Sequence, residues 1–558
     1  MMQFLDARRL TGPSLLFDSY GSILDVACSA EEAERLVPAW KKHVGRMLAE
    51  LGWNDAEFAT ASLEGGVSLA FTAPIDALYA ASAVNEWAWS ACDHELDGAD
   101  APDFSKALEE IRDAIAEEAN PALAELEARA TARGVTMLWD DDEVSLGLGR
   151  HSQTWPVREL PDPHSLDWDL FRDVPTALVT GTNGKTTTVR LATHILRAAG
   201  YTVGMSSTDY IAVNNEVIDR DDWSGPGGAR TVLRHKDVDA AILETARGGL
   251  LRRGLGVYAA NAAVITNIGR DHLGDFGSRS LDELMDIKWI VSRAVRDNGT
   301  LILNADDARL VGSARDYPGT LAWFSLDPGN PVVLSHTSGG GTAYVQQGGE
   351  LVKIEGETRE PLCSAADIPI TLNGAARHNT ANALAAAALT AAMGVSMADI
   401  RRGLTTMTQE ENPGRGNVFE VDGFKVIIDF AHNPQAIEAL LDMAAAMQGE
   451  RKVLCFAQAG DRPDDLIREL ARNAWKKGLD RVIVSELAHY YRGRGPGEVY
   501  GLIRDELLNC GARDDQIEHN DEEIESFDSA LAWAQPGDLV IMLALERSPE
   551  LYDRIGAS

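Results

Sequence analysis

Cysteine is scarce in this chain of 558 residues, and the five cysteines that occur lie far apart. No two of them form a CxxC pair, so the sequence has no thiol redox motif of that kind. This spacing fits a reducing compartment, in which most cysteines are small buried apolar residues. A reactive thiol among the five is the less favoured alternative.

Long apolar runs and an excess of positive charge are also absent. No uninterrupted apolar stretch approaches the roughly 20 residues needed to cross a bilayer, and residues 1–10 lack the apolar segment of a signal peptide. With 51 Lys+Arg against 86 Asp+Glu, the formal net charge is −35. An acidic surface argues against broad binding to nucleic acid or anionic membranes, although a local basic pocket can still bind phosphates or carboxylates. We therefore expect a cytoplasmic protein with neither of those partners.

The composition is that of a globular protein, and the length suits about three domains. Residues 1–165 mix helical patterns with an alternating strand, which predicts an N-terminal mixed α+β domain. Residues 166–410 alternate strands and helices, as a doubly wound parallel sheet does. Residues 411–558 begin near a Pro-Gly break and repeat the alternation as a smaller, Rossmann-like domain. The predicted fold class is α/β.

The central feature is a glycine loop between the buried strand pattern of residues 176–179 and the helical pattern of residues 189–199. Strand, glycine loop and helix form a phosphate cradle, because backbone N–H groups and the helix N-terminus point at the anion. Two glycines let the backbone curl, a lysine adds a fixed charge, and a threonine hydroxyl can bind magnesium. The loop residues expected to contact a nucleotide are Gly181, Thr182, Asn183, Gly184, Lys185, Thr186 and Thr187.

This loop is shorter than the full P-loop pattern. That pattern has a glycine five residues before Gly184, where this chain has Val179. The difference argues against the loop of a GTPase or a motor protein.

Two further predicted strands end in polar side chains. Residues 240–243 are followed directly by Glu244, and the strand pattern of residues 263–268 leads into a polar segment that contains His272. The carboxyl ends of parallel strands meet at the ligand-binding edge of a sheet. Glu244 is therefore well placed to bind magnesium beside a triphosphate, and His272 is a second candidate, although a lone histidine is more often a surface or capping residue.

Three more polar residues have roles that their local pattern leaves open. Lys288 lies among apolar residues of a helical pattern, where a snorkelling lysine is the alternative. Asn382 falls in the first turns of an alanine-rich helix, where an amide can read an adenine edge or can simply be a polar surface residue. Asp429 ends a buried strand of the last predicted domain.

These motifs resemble, in the same order, those of the Mur ligase superfamily, whose members use ATP to join an amino acid to a carboxylate. The resemblance covers roughly residues 175–558 and rests on the phosphate loop, the Glu244 strand, residues 267–272, the Lys288 and Asn382 helices, residues 413–415 and residues 429–434. Within the superfamily, residues 244–249, 304–307, 460–462 and 492–494 are similar to the ligase part of cyanophycin synthetases. Residues 1–165 are similar to the N-terminal domain of those enzymes.

The resemblance implies a catalytic group around the phosphates of ATP. Lys185 and the loop amides would hold the phosphates. Thr186 and Glu244 would bind one magnesium ion, and His272 would bind a second. Lys288 would be the lysine that several family members carry as a carbamate, an anion able to orient a metal.

The rest of the ATP site is also implied by the resemblance. Asn382, Arg415 and Asp429 match positions that contact adenine, phosphate and ribose. Because Asn382 and Asp429 belong to different predicted domains, ATP would bind across a cleft that closes.

One domain of cyanophycin synthetases has no counterpart here. Those enzymes carry an ATP-grasp domain, which extends the aspartate backbone, where this chain has only a connector near residues 150–175. The resemblance therefore implies a ligase that attaches arginine, or another basic amino acid, to a side-chain carboxylate of an aspartate-containing acceptor through an acyl phosphate. An ATP-grasp ligase acting on the same product is the expected partner, and a homo-oligomer is compatible with the family.

Two other functions stay open at this point. The first is a folylpolyglutamate or poly-γ-glutamate type of ligase, and the second is a non-catalytic ATP-binding partner of an ATP-grasp enzyme. The arginines at positions 247, 252 and 253 either clamp acceptor carboxylates or form a plain surface cluster.

Overall fold

The computed structural model describes residues 2–63, 65–98, 102–271, 280–447 and 449–557. The first part contains the strands and helices β1 (Gln3–Leu10), β2 (Gly21–Ala27), α1 (Ala30–Leu51), β3 (Phe58–Leu63), β4 (Gly66–Thr72), α2 (Leu78–Asp97), α3 (Phe104–Glu118), α4 (Pro121–Arg133), β5 (Met137–Trp139), β6 (Glu143–Leu146) and β7 (Gln153–Pro156). They form two antiparallel sheets, β1-β2-β4-β3 and β5-β6-β7. This part has the mixed α+β character that the sequence predicts.

Local sequence explains how the longest helix of this part starts and stops. The Ser29 side chain accepts a hydrogen bond from the Glu32 backbone N–H, and the Glu32 carboxylate accepts one from Ser29 in return. Gly52 ends α1 with a left-handed φ of 79°. The buried face of α1, which includes Trp40, packs into the core beneath the first sheet.

The central part of the chain forms one large sheet, the central sheet. Its elements are β8 (Thr176–Thr180), α5 (Lys185–Ala198), β9 (Val203–Ser206), β10 (Ile211–Val213), β11 (Glu216–Asp219), α6 (Pro226–Arg234), β12 (Ala240–Glu244), α7 (Arg247–Arg253), β13 (Ala260–Ile265), α8 (Leu281–Trp289), β14 (Val295–Asn304), α9 (Ala308–Ser313), β15 (Thr320–Ser325), α10 (Pro331–Ser338), β16 (Thr342–Gln347), β17 (Glu350–Glu355), β18 (Thr358–Ser364), α11 (Arg377–Ala392) and α12 (Met397–Thr406). The 11 strands have the order β11-β10-β9-β12-β8-β13-β14-β15-β16-β17-β18.

Strands β9 to β16 of this order run parallel, and antiparallel strands extend the sheet at both ends. Because side chains alternate along a strand, Ala177 and Val179 of β8 face the core formed with α5, α11 and α12. Leu178 faces the opposite core, which includes residues of α6, α8 and α10. Both faces of β8 are therefore buried, as in a doubly wound fold.

Strands β16 and β17 form an antiparallel hairpin. Residues 335–338 before it belong to α10, and the hairpin strand β16 pairs in parallel with β15. The hairpin of β16 and β17 is thus part of the central sheet.

The last part forms the C-terminal sheet. Its elements are β19 (Arg415–Val421), β20 (Phe424–Asp429), α13 (Pro434–Ala446), β21 (Lys452–Phe456), α14 (Asp464–Trp475), β22 (Arg481–Ser485), α15 (Glu498–Asn509), β23 (Ile517–Asn520), α16 (Glu523–Trp533), β24 (Leu539–Leu543) and α17 (Ser548–Arg554). The strand order is β19-β20-β24-β21-β22-β23, and every neighbouring pair is parallel except β19 with β20.

The connector between the two sheets, residues 407–414, is attached to helix α5. The buried Arg190 of α5 donates hydrogen bonds to Asn412 Oδ1 at 3.2 Å and to the Pro413 carbonyl at 3.0 Å. The Nη2 atom of Arg190 pairs with Asp209 Oδ2 at 2.6 Å. Across the part of the chain that the structure describes, no helix is both long and apolar enough to span a membrane.

Candidate functional site

A cavity of about 600 Å³ separates the carboxyl edge of the central sheet from the carboxyl edge of the C-terminal sheet. Ligands of open α/β sheets bind at this edge, so both sheets offer their binding side to the same space. The predicted site residues that line the cavity are Gly181, Thr182, Asn183, Gly184, Lys185, Thr186, Thr187, Lys288, Asn382, Arg415 and Asp429. The structure therefore brings the predicted nucleotide residues from both sheets together.

The phosphate loop connects β8 to α5 and is held by the neighbouring strand end. The Thr182 N–H donates to the Asn267 carbonyl, and the Asn183 N–H donates to Asn267 Oδ1, each at 2.9 Å. Lys185 folds back so that Nζ donates to the Thr182 carbonyl at 3.0 Å. A lysine in this position can turn from its own loop to a bound phosphate without backbone movement.

Gly184 is required by its conformation and by its neighbour. Its φ is 82°, and a Cβ at this position would clash with Asn382 Oδ1. The loop therefore depends on a glycine for its close approach to helix α11.

We expect Gly184→Ala to weaken ADP binding at least about tenfold, because the added methyl displaces either the loop or Asn382. Gly200→Ala is the matched control, since Gly200 has a φ of 96° and nothing within 4 Å of the added Cβ. The control should cost about 1 kcal/mol of unfolding free energy from the left-handed backbone alone and leave ADP affinity unchanged. Thermal unfolding and calorimetric ADP titration measure both quantities. Equal loss of ADP affinity in the two variants would contradict the steric role of Gly184.

Two hydroxyl groups and one carboxylate form a candidate magnesium site. Thr186 donates to Glu244 Oε2 at 2.9 Å, and Thr208 donates to Glu244 Oε1 at 2.6 Å. Glu244 is only 2% exposed and lies behind the loop. Hydroxyl and carboxylate oxygens are the ligands that magnesium prefers, together with phosphate oxygens, so these residues fit the ion.

The predicted second metal ligand cannot be assessed in the same way. His272 lies outside the described residues, so its metal role stays a prediction. Among the residues that the structure describes, no group of three or more histidine, cysteine, aspartate or glutamate side chains is arranged to bind a metal ion.

Lys288 lies at the bottom of the cavity, beneath the phosphate loop. Its Nζ donates to the Gly181 carbonyl at 2.8 Å, and the residue is 4% exposed. Burial, with the nearby charges of Lys185 and Arg247, lowers the pKa of Lys288 well below its ordinary value, although Asp271 and Glu244 oppose this. A snorkelling lysine would reach solvent, so this alternative is wrong for Lys288.

The two residues predicted from the C-terminal sheet lie beside each other. Arg415 Nη2 pairs with Asp209 at 3.3 Å, and its guanidinium lies 4.8 Å from the centre of the Phe430 ring. Burial raises the pKa of Asp429 to about 6, although Arg415 and the N–H groups of Ala431 and Gly416 oppose the rise.

The raised pKa of Asp429 predicts a pH dependence of stability. An unfolded aspartate titrates near 3.9, so between about pH 4 and 6 the Asp429 carboxyl group is protonated in the folded protein and ionised in the unfolded chain. The contribution of Asp429 to the unfolding free energy should therefore fall by about 3 kcal/mol as pH rises through this window and stay level above it. Asp429→Asn should remove this slope, whereas Asp297→Asn, at an exposed position of β14, should not. Denaturant unfolding from pH 4 to 8 is the measurement, and identical slopes in wild type and Asp429→Asn would refute the assignment.

Several residues of the site carried no separate role in the sequence analysis. Thr208 follows the end of β9 and could have been found by the same strand-end rule that identified Glu244. Asn433 Nδ2 donates to Asn183 Oδ1 at 2.8 Å, and Asn183 Nδ2 donates to Gln435 Oε1 at 3.3 Å. The phosphate loop is thus in direct contact with the start of α13.

A second contact crosses the cavity. Asp271, which follows β13, lies 3.3 Å from His432 Nε2 and 3.9 Å from a guanidinium nitrogen of Arg462. These residues belong to different sheets, so no periodicity in the sequence relates them. Only the mutual orientation of the two sheets brings them together.

The structure separates the three arginines at positions 247, 252 and 253. Arg247 is 9% exposed and lines the cavity, whereas Arg252 and Arg253 are exposed on α7. Of these three arginines, Arg247 is the one that can contact a molecule bound in the cavity.

Fold and site together define a class of protein: a phosphate-loop α/β sheet that faces a second, Rossmann-like sheet across a shared cavity. The comparisons with known families agree with this class. Residues 179–390 match the model described as Mur ligase middle domain, and residues 414–544 match the one described as Mur ligase, glutamate ligase domain. The two matches together span more than half of the chain, which belongs to the Mur ligase family.

Individual relatives show the same relationship. The cyanophycin synthetase of Crocosphaera subtropica is 34% identical over 385 residues, which are 68% of this chain and 44% of that protein. The chain therefore matches less than half of the length of this relative. The UDP-N-acetylmuramoyl-L-alanyl-D-glutamate–2,6-diaminopimelate ligase of Corynebacterium efficiens is 27% identical over 429 residues, 74% of this chain and 78% of that protein.

A solved structure is similar in fold. E. coli FolC in complex with ADP superposes with a TM-score of 0.50 at 19% identity, covering 69% of this chain and 89% of that one. This likeness concerns the fold alone.

Proposed function

We propose that the protein is an ATP-dependent ligase that joins an amino acid to a carboxylate. The observation that carries the proposal is the shared cavity. It exposes a phosphate loop, a buried lysine and Arg247 on one side, and arginines and a histidine from the C-terminal sheet on the other. This arrangement suits a reaction in which a nucleotide, an acid and an amine must meet away from water.

The proposed reaction has two steps. An acceptor carboxylate oxygen attacks the γ-phosphorus of ATP, the bond to the β-γ bridging oxygen breaks, and ADP leaves. The neutral amine of the amino acid then attacks the carbonyl carbon of the acyl phosphate. Phosphate leaves with the bonding electrons, and the nitrogen loses a proton. The product is an amide.

The chain's own residues position these groups. Lys185 and the loop N–H groups would hold the phosphates and stabilise their charge during transfer, which is mainly electrostatic catalysis. Arg247 is the candidate to hold the acceptor carboxylate beside the γ-phosphate. Magnesium, held by Thr186 and Glu244, would neutralise phosphate charge, and a second ion at His272 is part of the proposal.

The ends of the ATP molecule would lie between the two sheets. Asn382, next to Gly184, is proposed to bind adenine, and Asp429 and Arg415 are proposed to bind ribose and phosphate. The three domains proposed for the chain are residues 1–165, 166–410 and 411–558, with this site between the second and the third.

The substrates are proposed from the resemblance to cyanophycin synthetases. We propose arginine or another basic amino acid as the amine, and an aspartate-containing peptide as the acceptor. An ATP-grasp ligase that acts on the same product is the proposed partner.

The experiment is ADP release by the purified protein with ATP, magnesium and an aspartate-containing peptide, across a panel of amino acids, with product masses read in parallel. A product heavier by one arginine or lysine residue supports the proposal. Turnover with glutamate alone would instead indicate a folylpolyglutamate or poly-γ-glutamate type of ligase. ATP binding without ADP release across several acceptors would indicate a non-catalytic partner.

A further inference from the structure

The wall of the cavity formed by the C-terminal sheet contains an arginine that two other side chains hold. A guanidinium nitrogen of Arg492 pairs with Asp461 Oδ2, and the guanidinium carbon lies 4.9 Å from the centre of the Tyr490 ring. Tyr490 and Arg492 both line the cavity. A carboxylate beside an aromatic face is the chemistry that binds a guanidinium, through a charge-assisted hydrogen bond and cation–π attraction.

Asp461 divides its two oxygens between two different arginines. Oδ1 accepts from Arg462 Nη1 at 3.1 Å, and the Arg462 side chain is only 5% exposed. The Arg492 side chain on Oδ2 is 44% exposed. A partly exposed ion pair of this kind contributes little to stability, so another guanidinium of the same geometry can displace Arg492 while Arg462 stays in place.

The surrounding loops are held independently of the Arg492 side chain. The Gly460 N–H donates to the Tyr490 carbonyl at 2.8 Å. Arg494 donates to the carbonyls of Gly460 at 2.7 Å and Arg462 at 2.9 Å, which joins the two loops. Arg492 itself has a φ of 43°, in the left-handed region that a non-glycine residue rarely adopts. The hydrogen bonds of Gly460 and Arg494, which do not involve the Arg492 side chain, hold Asp461 close to Tyr490.

We infer that Asp461 and Tyr490 form the subsite for the basic side chain of the incoming amino acid, and that Arg492 occupies this subsite as an internal competitor until the substrate enters. The inference rests on the proposed function and assigns its amino-acid specificity to named residues. A guanidinium matches the carboxylate and ring as Arg492 does, and an ammonium matches only the charge. A glutamate side chain would meet the Asp461 carboxylate and be rejected.

The test is calorimetric binding of L-arginine, L-lysine and L-glutamate to the full chain in the presence of ADP and magnesium. Arg492→Ala should bind L-arginine about threefold to fivefold more tightly than wild type, because the competitor is gone. Asp461→Asn should bind it at least about tenfold more weakly, and Tyr490→Leu several-fold more weakly. Arg504→Ala, which removes a surface arginine paired with Asp514 at 2.7 Å, is the matched control and should bind as wild type does.

A change of L-arginine affinity in the opposite direction overturns the inference. Weaker binding of L-arginine to Arg492→Ala would show that Arg492 contacts the substrate directly. Unchanged binding to both Asp461→Asn and Tyr490→Leu, or no L-arginine binding by wild type, would also reject the subsite. ADP affinity of each variant shows whether it is folded.

ADP release decides the proposed function separately. If the protein turns over L-glutamate but does not bind L-arginine, the ligase function is supported and this subsite is rejected. L-arginine binding with the expected variant effects, but without ADP release under any acceptor, keeps the subsite and rejects the ligase.

Discussion

Replacing Lys185 by methionine is expected to lower the rate of ADP release by about 10²–10³-fold. The substitution keeps much of the side-chain length but removes the only charge that the phosphate loop itself carries. Because that charge would act most strongly on the phosphoryl group in transfer, the loss should fall mainly on kcat. Steady-state kinetics with saturating ATP measures it.

Lys353→Met is the matched control for this variant. Lys353 lies on β17 and pairs with Glu355 at 2.8 Å, away from the cavity. The Lys353→Met protein should turn over as wild type does. A Lys185→Met protein that retained more than about a tenth of the wild-type kcat would show that the loop lysine does not take part in phosphoryl transfer.

Lys288→Ala is expected to lower kcat by about 100-fold and to regain part of the activity in millimolar acetate. The reason is the protonation state of the Lys288 amine. Burial lowers the pKa of Lys288 well below its ordinary value and so favours the neutral amine, which is the form that reacts with carbon dioxide. The nitrogen bonds to the carbon, a proton leaves, and a carbamate results.

Two measurements distinguish a carbamate from a plain amine. Wild type equilibrated with ¹³C-bicarbonate should show a carbamate carbon by NMR that Lys288→Ala lacks. Acetate should restore the activity of Lys288→Ala and leave Lys185→Met unchanged. If neither signal nor rescue is found, Lys288 acts as an unmodified amine that supports the Gly181 carbonyl.

The sequence was sufficient where the position of a residue follows from local order along one strand. The loop from Gly181 to Lys185 and the strand ending at Glu244 were placed correctly, because parallel strands present their carboxyl ends at one edge regardless of the details of packing. Burial of Lys288 could not be derived from its helical pattern, which a snorkelling lysine would equally produce.

Contacts across the cavity were beyond prediction for a different reason. The pairs Asn183 with Asn433 and Asp271 with His432 join residues more than 150 positions apart. Their proximity depends on how two separately formed sheets are oriented, and this orientation leaves no periodic signal in the sequence. The parallel pairing of β16 with β15 is of the same kind, because a hairpin pattern does not specify which neighbour its outer strand pairs with.

The attachment of the connector to Arg190 has a mechanical consequence. Arg190 lies five positions after Lys185 on one helix, so about 7–8 Å of helix separates the phosphate loop from the point where the connector is attached. A rotation of the C-terminal domain about this attachment would move Asp461 and its neighbours along an arc, while the phosphate loop stays at a constant distance from the attachment. We expect the acyl phosphate to stay in place beside the phosphate loop during this rotation, while the C-terminal domain brings the amine to it.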